Sequence, residues 1–144
     1  MIDITSMSSQ DRLKDWREFR ESLNELPVEE QLTNISNYWS SVATVKYYFD
    51  FDKPKEEWPT PWELIHEGEF CINGIAYLIM KTIELLPNRN WETDDLKLIL
   101  IKDLERSDMY LAVLVCNQYL LNYDHNKVTV WEEVKSKCEI ICEH

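Results

Sequence analysis

The chain has 144 residues, 44% hydrophobic and 12% aromatic, which is enough for one compact core and too few for two. Its 15 Lys and Arg stand against 27 Asp and Glu, a net charge of −12, whereas binding a phosphate backbone or an anionic membrane calls for clustered positive charge. Nucleic acid and membrane are therefore excluded as expected partners, and with two glycines so is a Gly-rich phosphate loop.

Behind the cap-like "SSQD", Leu13, Trp16, Phe19, Leu23 and Leu26 recur every third or fourth residue and predict an amphipathic helix ended by Pro27. Pro27 then opens a second helix. Glu29 and Glu30 suit its N-terminal dipole, and Leu32, Ile35, Trp39 and Val42 form its buried stripe. The period breaks in "VKYYFDFDKPKEEWPTPW", whose prolines and aromatic rings predict an irregular segment lying against the body. From about Phe70 to Leu86 the chain is apolar on nearly every side, as a central helix would be. After a "PNRN" turn come two short apolar runs, "LKLILIKD" and "MYLAVLVCN". "QYLLNY" and "KVTVWEEV" follow, alternating more clearly around a "DHN" turn. Helices first and then about four largely antiparallel strands predict an α+β domain spanning 1–144, with the central helix on one face of the sheet.

The cysteines Cys71, Cys116, Cys138 and Cys142 are too dispersed for a stapled scaffold and are expected as free thiols. "CEIICEH" sets Cys138, Cys142 and His144 at helical spacing, but a closed zinc site needs a full tetrahedral set and no second Cys-rich cluster supplies it. The segment reads as an amphipathic C-terminal piece whose cysteines act as small hydrophobes, and neither metal nor cofactor is expected. No basic region precedes an apolar run at the N-terminus, and no stretch reaches the roughly 18–20 apolar residues that span a bilayer. A soluble protein, cytoplasmic where it is synthesised, is the expectation.

Cys71 opens the central helix, and the order of elements around it carries a likeness. "WPTPWELIHEGEFCINGIAYLIMKTIELL", then "DDLKLILIKD", then "YLAVLVCNQYLLNYD" resemble the bacterial and phage transglutaminase-like cysteine peptidases of the papain-like superfamily, over about residues 30–125. That family has W-x-T-P-x-E-x-x-x-x-G before G-D-C-E-D-Y-A, then a strand with H-x-V-L and a strand with V-L-D-N. Trp58, Thr60, Pro61 and Glu63 match the approach, and Cys71 stands at the nucleophile position. Glu69 and Phe70 replace the Gly-Asp pair before it, and Ile72, Asn73 and Gly74 replace Glu-Asp-Tyr after it. The resemblance puts Leu111 at the histidine position and Asn122 at the aspartate position.

Thiol catalysis needs an imidazole beside sulfur and a group to orient that imidazole. Leu111 cannot accept a proton, and Asn122 has no histidine beside it to orient. His66 and His125 are the available surrogate bases, each otherwise an exposed loop residue. Three functions follow as expectations. The first is a degenerate peptidase-like domain that binds protein or serves structurally, with a phage virion or assembly component fitting the family's distribution. The second is an active cysteine hydrolase or amide-transfer enzyme with a rearranged base. The third is an acidic inhibitor or decoy of a basic partner. Tyr48, Trp58 and Trp62 are the candidate partner-binding residues, as an aromatic patch around the mouth of Cys71.

Overall fold

The computed structural model describes residues 4–45, 53–86, 95–124 and 127–144. Tyr48, His125 and the expected turn at 87–90 lie outside them. Helix α1 is Ser9–Ser22, with Ser8 as its N-cap accepting from the Asp11 N–H. It ends at Ser22, short of Pro27, and a turn takes up Leu23 to Leu26. Helix α2, Val28–Ser40, starts after Pro27 and buries Leu32, Ile35 and Trp39. Helix α3, Pro61–Glu67, replaces part of the stretch expected to be irregular. Its cause is local: Thr60 accepts from the Glu63 N–H while the Glu63 carboxylate accepts from the Thr60 N–H, with Pro61 in the first turn. Helix α4, Ile72–Glu84, is the central helix, and Gly74 to Met80, Thr82 and Ile83 are all buried along it.

The sheet has five antiparallel strands rather than about four. They are β1 Leu96–Asp103, β2 Met109–Val115, β3 Tyr119–Leu121, β4 Thr129–Val130 and β5 Cys138–Glu143, in spatial order β4-β3-β2-β1-β5. The additional strand is "CEIICE", where the sequence spacing suggested a helix-like segment. It docks on β1, with Leu100 opposite Cys142 and Ile101 opposite Ile140, so Ile141 is the extra residue of a bulge. "KVTVWEEV" divides into β4 and a short helix α5, Trp131–Val134.

The two faces of the sheet carry separate cores, set by the alternation of side chains along each strand. Leu98, Leu100, Leu111, Val113 and Leu121 join the helices α1 to α4 in the larger core. Ile99, Ile101, Ala112, Leu114 and Leu120 face the other way, under Tyr110, Tyr123, Trp131 and Val134. The result is α+β, with the cysteine-bearing helix on one sheet face as expected. No helix among the described residues is long and apolar enough to cross a membrane.

The β1–β2 turn is locked by one buried carboxylate. Asp103 accepts from the N–H groups of Glu105 and Arg106 and faces the Arg106 guanidinium at 3.5 Å. Burial alone would raise its pKa, but those N–H groups and the guanidinium outweigh burial and hold it below the usual carboxylate range. A depressed folded pKa stabilises the fold above the unfolded value and ceases to do so as pH falls through the folded one. Wild type should therefore melt above Asp103→Asn at neutral pH, with the gap closing as pH drops below about 4. Thermal melts of both proteins across that range check this; a gap independent of pH would mean that the ion pair contributes nothing.

Candidate functional site

Cys71 is the N-cap of α4, in an extended conformation, and its Sγ accepts a hydrogen bond from the Gly74 N–H at 3.3 Å. Sulfur here does the work usually given to a Ser or Asp oxygen, satisfying one of the helix's unpaired donors. The residue is 1% exposed and packs within the larger core. On its N-terminal side the Phe70 carbonyl accepts from the Val45 N–H at 2.8 Å, which ties the approach to the helix against the end of the α2 segment.

Leu111 and Asn122 come to the same end of α4. The Leu111 N–H donates to Asn73 Oδ1 at 2.9 Å, and Asn122 Nδ2 donates to the Leu111 carbonyl at 2.9 Å and to the Ile72 carbonyl at 3.2 Å. The reason lies in the strand lengths. β3 pairs with β2 only over Val113 to Val115, and Asn122, with φ 67°, turns the chain away just beyond it. The peptide groups of Leu111 would otherwise face a missing strand, and two side-chain amides replace the absent ladder bonds. Asn tolerates the left-handed conformation that this requires. Asn73 was not singled out from the sequence. Its signal was a polar residue in the first turn of an otherwise apolar helix.

The Leu111 side chain is fully buried in the core that holds Cys71. A cleft of about 540 Å³ opens beside them, walled by Ile72, Met109 and Asn122, with Arg106, Asp108 and Asp124 at its charged side. Cys71 and Leu111 are not part of that wall. Ile72 and Met109 are more than half exposed there, at 55% and 58%.

The remaining candidates are scattered. His66 lies exposed in the last turn of α3, where its carbonyl accepts from Ser9 Oγ and Arg12 Nη2. Among the described residues, the hydrogen bond to Cys71 Sγ comes from Gly74 and none comes from an imidazole. Trp58 is buried rather than at the surface: its Nε1 donates to the Lys53 carbonyl, and its ring meets Tyr77 edge-on and lies beside His144. Trp62 is 47% exposed and stands edge-on to Trp16, so the two tryptophans belong to different aromatic groupings. Cys138 packs in the smaller core, while Cys142 lies 3.5 Å from His144 Nε2. No three potential metal ligands cluster among the described residues, and all four cysteines are free.

The helices packed on one face of an antiparallel sheet make a transglutaminase-like cysteine peptidase fold. Legionella pneumophila LapG, a transglutaminase-like cysteine protease, has this fold: the two superpose with a TM-score of 0.70 at 16% identity, over 94% of this chain and 75% of LapG. EGTA-treated LapG gives 0.70 and 16% over 94% and 73%, and calcium-bound LapG gives 0.70 and 15% over 95% and 76%. At such identities the likeness establishes the fold alone. The sequence matches no family model and no curated protein.

Proposed function

We propose that this chain is a catalytically silent transglutaminase-like domain that works as a protein-binding module. One observation carries the reading: Leu111, an aliphatic side chain, shares the buried core of Cys71, with both of its peptide groups held by Asn73 and Asn122. An imidazole there would both generate the thiolate and protonate the leaving group, and leucine can do neither. The Asn122 amide is spent on two carbonyls and would have no imidazole to orient. Cys71 has a structural task as a helix cap, which gives the residue a role without chemistry. An assembly role, as in a phage virion, is one use that such a module would serve.

The test is site-resolved alkylation. Cys71 should react with iodoacetamide on the order of tenfold or more slowly than the exposed Cys142, because it waits for local opening of the helix start. Its rate should show no bell-shaped dependence on pH. Leu111→His combined with Asn122→Asp should speed Cys71 if the scaffold keeps its geometry. A wild-type Cys71 that outpaces Cys142, and loses that advantage when His66 or His125 is changed, would establish instead an active cysteine hydrolase with a rearranged base.

A further inference from the structure

On a chain of net charge −12, the groove between α1 and α3 is lined by Lys14, Arg17 and Arg20 beside Gln10, Leu13 and Trp62. It holds about 330 Å³. Trp62 offers an exposed indole that is held in place rather than loose, because it stands edge-on to Trp16 at 6.0 Å. Trp16 is itself fixed by donating its Nε1 to Thr82 Oγ1 at 3.0 Å. The Arg20 guanidinium lies 4.2 Å from the Trp16 ring, and its Nε is buried with no hydrogen-bond partner among the described residues. Arg17 is exposed and makes no ion pair among the described residues, while Lys14 has only a long, exposed contact of 3.9 Å to Glu18. Burial lowers the pKa of Arg20, with Glu21 acting against the shift and the neighbouring Arg17 adding to it.

We propose that this groove binds an acidic linear peptide segment that lays an apolar side chain on Trp62 and sets its carboxylates against Arg17 and Arg20. The proposal rests on the binding-module reading and assigns that module a surface away from the Cys71 end of α4. Charge selects the occupant. Local cations attract a short anionic segment, whereas an extended polyanion such as nucleic acid would run beyond them onto an acidic surface. The aromatic shelf and Leu13 favour a peptide over a small inorganic anion, since indole and guanidinium groups anchor protein contacts. The exposed Arg17 guanidinium, which makes no ion pair among the described residues, has its planar fork free for a carboxylate.

The experiment selects a displayed library of random linear peptides against the full chain and measures the synthetic winners by calorimetry. Winners should be rich in Asp and Glu around an aromatic or Leu residue, and their affinity should fall as NaCl rises. Arg17→Glu and Trp62→Ala should each weaken binding by about tenfold or more. Arg17 is exposed, so its reversal should leave the thermal melt unchanged and report on binding alone. Winners without acidic residues, or winners indifferent to both variants, overturn the proposal. If winners instead lose affinity on Met109→Glu, the 540 Å³ cleft is the binding surface and the module reading survives without this groove. A library that yields no binder overturns both.

Discussion

Replacing Thr82 by valine should lower the unfolding free energy by about 2–6 kcal/mol, the sum for two buried donors left unpaired. Thr82 is fully buried in α4, and its hydroxyl accepts from Trp16 Nε1 at 3.0 Å and Trp39 Nε1 at 3.2 Å while donating to the Leu78 carbonyl at 2.7 Å. A hydroxyl has one proton and two lone pairs, so these three bonds use all of it. Trp16 belongs to α1 and Trp39 to α2, so one oxygen joins three helices. Valine keeps the shape and removes every bond. Serine keeps the bonds and removes a methyl, for about 1 kcal/mol. Urea unfolding of the two variants separates these effects. Equal losses for valine and serine would show that the indoles find other partners and that the junction is held by packing.

This junction bears on how much the sequence revealed. The stripe of Leu32, Ile35 and Trp39, the apolar run of α4 and the run "LKLILIKD" of β1 were each legible because one local period dominates them. α3 was missed although Thr60, Pro61 and Glu63 spell a capped helix start, because the preceding prolines and aromatic residues read as loop. β5 was missed for a different reason. "CEIICE" has no clean alternation and is largely exposed, so it is a strand because β1 offers an edge to pair with, which is information from elsewhere in the chain. At the candidate site, Cys71 at a helix start could be seen from periodicity. The pairing of Asn73 and Asn122 about Leu111 could not, since it depends on where β3 ends. Trp58 and Trp62 sit close in sequence, yet one is buried beside Tyr77 and the other exposed beside Trp16. The α3 cap sets that division, because Trp62 lies on its first turn and Trp58 precedes it.

Arg12→Met should cost about 3–5 kcal/mol, because it removes a buried cation that serves several carbonyl oxygens at once. Arg12 sits on α1, 7% exposed, and donates to the carbonyls of Met7, Ile65 and His66 and to Ser9 Oγ. Two of those carbonyls belong to the last turn of α3, whose helix dipole also favours a positive charge. Lysine should recover only part of the loss, since its single ammonium cannot reproduce the planar fork. The same guanidinium explains Gly68. That residue closes α3 at φ 81°, and an added Cβ would come within 2.5 Å of Arg12 Cζ. Gly68→Ala should thus be destabilising through both left-handed strain and the clash. In the Arg12→Met background the clash with the guanidinium is gone, so the second change should cost less than it does alone. A double-mutant cycle by urea unfolding measures that coupling. The consequence reaches the candidate site, for only Glu69 and Phe70 separate Gly68 from Cys71. Loosening this clamp frees the start of α4 to open, so Cys71 should alkylate faster in Arg12→Met than in wild type, by more than Cys142 does. Additive losses, with Cys71 still as protected as before, would show that the clamp and the helix start are independent and that Cys71 is held by α4 and the sheet alone.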